Sequence, residues 1–241
     1  MTGGDAGHAP RAPRARIAVL ASGGGSNLGA LLTHLDALGE ARAGEVVLVA
    51  SDRATAGALA RARDRGIATA LLRTRVHPEG EELLPLLERH AIDLIVLAGY
   101  LRLVPQAVVR RFPGRIVNVH PGPLPAFGGE GMYGARVHDA VLRAGAAQSG
   151  ATVHFVDEIY DHGALIAHEP VPVLPGDTPE SLAARVLEAE HRVLPRVVQA
   201  LAAGELRLRA DGVVQWTSSH PERSEGSGPG APEPDPSLHS G

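Results

Sequence analysis

From residue 16 onward the hydrophobic pattern switches between two periods. Residues 16–21, Arg-Ile-Ala-Val-Leu-Ala, are apolar without polar alternation, as in a strand covered on both faces of a parallel sheet. Leu28, Ala30, Leu31, Leu32 and Leu35 follow at helical spacing. The alternation repeats: residues 45–51 predict a strand, 55–65 a helix, 67–72 a strand, 78–90 a helix and 93–98 another buried strand. A helix over 105–111 then leads into an apolar strand that begins at Ile116. Residues 127–134, Phe-Gly-Gly-Glu-Gly-Met-Tyr-Gly, are too glycine-rich for regular structure and predict a closely fitted loop. Beyond it lie a helix over 135–144, a strand over 150–157, its hairpin partner over 164–173, a helix over 179–202 and a last short pair over 206–209 and 213–216.

Repeated strand-helix units imply a doubly wound, mostly parallel α/β sheet of Rossmann-like kind, and the hairpin adds an antiparallel C-terminal portion. In such sheets ligands bind beyond the carboxyl ends of the strands. The glycine run after the first strand, residues 99–104 and residues 120–125 all lie at such ends, so three separate segments converge on one edge. The organisation expected is a disordered leader over 1–15, a single domain over 16–216 and a disordered tail over 217–241, because both ends are Gly-, Pro- and Ser-rich without hydrophobic period.

Composition narrows the chemistry. A chain of 241 residues can bury a sizeable core. It has no cysteine, which removes disulfides, thiolate catalysis and cysteine-bound zinc and permits a cytoplasmic location. All 23 basic residues are arginine, so neither Schiff-base chemistry nor a lysine-dependent phosphate loop is available. The net charge of -4 argues against a nucleic-acid partner, and no apolar run reaches the ~20 residues that span a bilayer. The partners expected are small molecules, with no nucleic acid and no membrane, for a monomer or homodimer.

Candidate chemistry gathers in two places. Ser22-Gly23-Gly24-Gly25-Ser26-Asn27 joins strand to helix, so backbone N–H groups and the helix N-terminus can receive an anion, with phosphate as the natural guest. The run matches neither the dinucleotide fingerprint nor the nucleoside-triphosphatase loop; an unliganded tight turn is the alternative. In Ile116-Val117-Asn118-Val119-His120-Pro121-Gly122-Pro123-Leu124-Pro125 the period of two puts Asn118 and His120 on one face, with a stiff proline exit holding them. The alternative there is a buried strand whose polar end satisfies loop backbone.

The segments 22–28, 97–104, 118–121, 124–125 and 150–156, together with Asp161, occur in the order seen in the folate-dependent formyltransferases, and over 16–210 the chain resembles the phosphoribosylglycinamide formyltransferases in particular. This resemblance implies transfer of a formyl group from 10-formyltetrahydrofolate, a co-substrate, to the amine of 5′-phosphoribosylglycinamide in purine biosynthesis, without a metal. The alternatives are a formyltetrahydrofolate deformylase and a non-catalytic phosphometabolite-binding module. By the same resemblance Asn118, His120 and Asp161 are catalytic. Gly25, Ser26 and Asn27 hold the phosphate and Glu190 the ribose hydroxyls. Leu101, Arg102, Leu103 and Val104, with Asp157, Glu158, Ile159 and Tyr160, enclose the folate.

Elementary chemistry agrees, since an amine attacking a formyl group makes an oxyanion that an amide N–H and an imidazolium stabilise. Asp161 is expected to raise the pKa of His120. The chain departs from the family's pattern at His162, His168 and Glu130, and it lacks an arginine-rich pattern over 74–82. His154 reads as a structural hydrogen-bonding residue, and His34, His90, His138 and His191 as surface or packing residues. A rival metal constellation would be His154, Asp157, Asp161 and His162.

Overall fold

The computed structural model describes residues 13–74 and 76–217. Its centre is a seven-stranded sheet. The chain lays down β1 (Ala15–Leu20), α1 (Ser26–Leu38), β2 (Gly44–Ser51), α2 (Gly57–Asp64), β3 (Ala68–Leu71), α3 (Leu83–Arg89), β4 (Leu94–Leu97), α4 (Gln106–Arg111) and β5 (Ile116–His120). After the loop come α5 (Ala135–Arg143), β6 (Gln148–Phe155), β7 (Leu165–Pro172), α6 (Pro179–Ala202) and the ribbon β8 (Leu206–Leu208) with β9 (Val214–Trp216).

The strand order is β3-β2-β1-β4-β5-β6-β7. The first five strands in that order pair in parallel, while β5·β6 and β6·β7 are antiparallel. The chain steps outward from β1 to β3 and returns to place β4 beside β1, so the order reverses between those two strands. A crevice opens at such a reversal.

The unalternating apolar run of β1 has a direct cause. Ile17 and Val19 enter the core under α1 and α6, while Ala18 and Leu20 enter the core under α3 and α4. Both faces of the strand are therefore dry. In β5, Val117 and Val119 join the first core and Ile116 the second, so Asn118 and His120 continue the Ile116 face past the end of the second core.

Boundaries shift where turn chemistry wins over periodicity. The helix expected over 78–90 is Leu83–Arg89 alone. Gly80 has φ +91° and the Glu82 carboxylate accepts the Arg73 N–H at 2.7 Å, so the approach to α3 is held as a turn. Strand β1 begins at Ala15 and Arg14 pairs with Glu40, while Thr217 N–H bonds the Glu205 carbonyl. The remainder of the expected leader and tail lies outside the described residues. Among those described, no helix is long and apolar enough to cross a membrane.

Candidate active site

A cleft of about 640 Å³ opens at the strand ends where the order reverses. Its walls include Asn27, residues 101–104, Asn118, His120, Ile159, Tyr160, Asp161 and Glu190, which a span of more than 160 residues separates in sequence. A volume of this size is ordinary for small-molecule sites.

Asn118 and His120 project side by side from β5, and Asp161 reaches them from the loop between β6 and β7. Asp161 has φ +54°, a left-handed conformation uncommon outside glycine that aspartate is among the few residues to adopt. Here Oδ2 accepts the Gly129 N–H at 3.0 Å and lies 3.4 Å from His120 Nδ1, while Oδ1 lies 3.4 Å from Asn118 Nδ2. The carboxylate thus joins the hairpin loop to the glycine-rich loop and to the strand end. Gly128 permits that approach, because a Cβ there would stand 2.3 Å from Leu124 Cδ2 and 3.0 Å from Asp161 Cβ.

The tautomers follow from the acceptors. His120 Nε2 lies 2.7 Å from the Phe127 carbonyl, so it carries a proton and donates it. In the neutral ring the lone pair is then on Nδ1, facing Asp161. His154, paired opposite Asn118 across the antiparallel ladder, donates from Nδ1 to the Phe155 carbonyl at 2.7 Å. Its Nε2 therefore accepts from Asn118 Nδ2 at 3.0 Å.

The expected rise in the His120 pKa is not what the site produces. Burial lowers it below the ordinary imidazole value and outweighs the opposing pull of the Asp161 charge and the Phe127 carbonyl. His120 is 3% exposed, and desolvation of an imidazolium there dominates. For Asp161, burial raises the pKa, but the neighbouring His154 and His120 rings and the Gly129 N–H together bring it below the usual carboxylate range. A neutral imidazole beside a carboxylate is the resting state at neutral pH.

At the β1 end, α1 starts at Ser26 with Gly25 as its cap in a left-handed conformation, φ +75°. A Cβ on Gly25 would stand 2.7 Å from Ala58 Cα, so only glycine fits. The carbonyls of Gly23 and Gly24 are taken by Ala58 N–H at 3.2 Å and Arg61 Nε at 2.9 Å, both on α2. The first turn of α1 carries no acidic residue of its own, which favours an anion at the helix end, and the carboxyl that reaches it here, Glu190, comes from α6. Gly25 and Ser26 do not line the cleft; Asn27 does. Its Nδ2 donates to Glu190 Oε2 at 2.6 Å, and its Oδ1 is buried without a hydrogen-bond partner among the described residues. Burial raises Glu190 to about 7, against the smaller lowering effect of the Asn27 bond.

Of the folate-side residues, Leu101, Arg102, Leu103, Val104, Ile159 and Tyr160 line the cleft, whereas Asp157 and Glu158 do not. Asp157 accepts from Ile159 N–H at 2.8 Å and pairs with His162 Nδ1 at 2.6 Å; Glu158 bonds Gln106 and lies 3.8 Å from Arg110. The rival metal constellation does not assemble: His154 and Asp161 line the cleft while Asp157 and His162 pair with each other outside its lining, and among the described residues no group of three or more His, Asp or Glu could hold a metal ion. His168 stands 2.9 Å from Thr152 Oγ1, and Glu130 is an exposed wall residue. Sequence reasoning missed the connection of His154 to Asn118, which only the β5–β6 register reveals. It also placed His138 with the surface or packing residues; the ring is 3% exposed, lines the cleft, and has its pKa lowered by burial and by His120 nearby.

The mostly parallel sheet carries Asn118, His120 and Asp161 beyond its strand ends, and the chain belongs to the formyl transferase family, whose model matches residues 15–198. It is similar to the chloroplastic phosphoribosylglycinamide formyltransferase of Arabidopsis thaliana, 42% identical over 211 residues that span 86% of this chain and 71% of the plant protein. Among solved structures it resembles the phosphoribosylglycinamide formyltransferase of Brucella melitensis, with TM-score 0.71, 43% identity and coverage of 80% of this chain and 97% of that one. It also resembles glycinamide ribonucleotide transformylase 1 of Symbiobacterium toebii, with TM-score 0.78, 37% identity and coverage of 85% and 95%.

Proposed function

We propose that this chain transfers the formyl group of 10-formyltetrahydrofolate to the amine of 5′-phosphoribosylglycinamide, giving formylglycinamide ribonucleotide and tetrahydrofolate in purine biosynthesis. The observation that carries this reading is the meeting of Asn118, His120 and Asp161 in a cleft that reaches both Asn27 beside the glycine loop and the wall formed by residues 101–104. The names of the relatives support the same substrates. In this reading residues 16–216 act as a single catalytic domain, a monomer or homodimer in the cytoplasm, a location that the absence of cysteine permits.

The amine attacks the formyl carbon and charge develops on the formyl oxygen. Asn118 Nδ2 is the donor for that oxygen, and its longer contact to Asp161, 3.4 Å, is the one displaced. The proton lost by the amine goes to the His120–Asp161 pair. Nδ1 of the neutral ring accepts it, and the weak contact of 3.4 Å becomes a charge-assisted N–H···O bond. N10 of the departing tetrahydrofolate takes a proton back, so the cycle closes without net change. The glycine loop with Gly25, Ser26 and Asn27 holds the 5′-phosphate through backbone N–H groups. Asn27 Oδ1 and Glu190 receive the ribose hydroxyls.

The deciding experiment mixes purified protein with 10-formyltetrahydrofolate, with and without phosphoribosylglycinamide, and follows formyl loss. Loss should require the ribonucleotide. Equal loss in its absence would make the protein a deformylase instead, with water as the acceptor.

A further inference from the structure

Behind the cleft lies a buried connection that the reaction does not use. Ser22 leaves β1 at the root of the glycine loop and is 2% exposed. Its hydroxyl donates to Asp52 Oδ1 at 2.6 Å and accepts the Leu101 N–H at 3.0 Å. The other oxygen of Asp52 accepts from Arg102 Nε at 3.1 Å, and the Asp52 side chain is 1% exposed. The Ser22 N–H also bonds the Gly99 carbonyl at 3.0 Å. Chain ends from β1, β2 and β4 are therefore fastened through one hydroxyl and one carboxylate.

We infer that Ser22 and Asp52 are positioning residues that couple the two substrate subsites, so that the phosphate end and the folate wall order together. This rests on the function proposed above. The Ser22 hydroxyl has a single proton, spent on Asp52, and it offers a lone pair to Leu101; movement of the loop root must strain one bond or the other. Asp52 in turn cannot release Arg102 without leaving a buried charge unpaired. When the loop closes its N–H groups on a phosphate, Ser22 is fixed, and with it the backbone of Leu101 and the stem of Arg102, both of which line the cleft. The ordering that the second ligand would otherwise impose has then already been made. By linkage the effect is reciprocal.

Calorimetry with tetrahydrofolate, which has no formyl group to transfer, and phosphoribosylglycinamide tests this. In the wild-type chain each ligand should bind about 5-fold or more tightly when the other saturates, the lower end of ordinary coupling. Ser22→Ala and Asp52→Asn should bring that factor to within about 2-fold of unity. Turnover at saturation should stay within about 3-fold, because neither residue touches the reacting atoms. A general loosening of the fold would weaken each ligand equally with and without the other and leave the factor intact, so an unchanged factor overturns the inference, as does absence of coupling in the wild type. Should Asp52→Asn fail to fold, Ser22→Ala, which removes one oxygen, decides alone. Failure of the wild-type chain to bind phosphoribosylglycinamide would overturn the proposed function itself, and the inference with it.

Discussion

At the β5 end of the cleft His120 is 3% and His154 2% exposed, whereas at the β1 end Gly23 and Gly24 are exposed; under the proposed function the first end works through side chains withdrawn from water and the second through backbone N–H donors. The first region needs burial, because a proton acceptor and an oxyanion donor act through small electrostatic differences that water would screen. Under the same proposal the second admits a doubly charged phosphate from solvent. It therefore uses a helix end and a loop whose carbonyls are held aside by α2. A side-chain site fails when one atom changes, whereas a backbone site fails only when the chain path changes.

The sharpest break of this contrast is at the His120–Asp161 pair. His120→Ala should lower turnover about 10³-fold, and Asp161→Asn about as much, with both substrates saturating. The double variant should cost little more than the worse single one, since residues acting as a unit are not additive. Losses that multiply would show two independent roles and dissolve the pair. At the other end the equivalent test changes the path: Gly25→Ala places a Cβ against Ala58 at a left-handed position. It should cost about 1–3 kcal/mol of stability and raise KM for the ribonucleotide roughly tenfold while leaving KM for the folate nearly unchanged. Equal shifts in both KM values would mean that the loop is only a tight turn.

The same contrast explains what the sequence could reveal. The glycine loop, β5 with Asn118 and His120, and the 179–202 helix were legible because local periodicity and turn residues dictate them; α6 spans Pro179–Ala202 as expected. The partnership of His154 with Asn118 was not legible, because it depends on the register of two strands joined by a 27-residue excursion from His120 to Gln148. Nor was the bond of Asn27 to Glu190, which closes over 163 residues. The sign of the His120 shift escaped for a different reason. The opposing charge is visible as a residue in the chain, but burial is a property of the assembled fold.

Glu190 offers the mildest and most quantitative test, because it lies where the two regions meet and its effect is thermodynamic. Its folded pKa, about 7, stands above the ordinary value of 4.5. A carboxyl whose pKa is raised by folding contributes stability that is fully present below about 4.5 and is lost as pH climbs to about 7, after which the cost of burying the charge is complete. Glu190→Gln keeps the shape and can carry no charge. Against wild type it should be nearly neutral at the acid end of that window and should gain with rising pH, reaching a plateau above pH 7. Between pH 5.5 and pH 8 the gain should grow by about 2 kcal/mol, or several degrees in Tm for a chain of this size. The ribonucleotide should bind the variant more weakly over the same range, so the curves for stability and affinity diverge. A stability difference that stays flat across pH 5.5 to 8 would show that Glu190 is ionised freely in the fold, and that the Asn27 bond rather than burial sets its state.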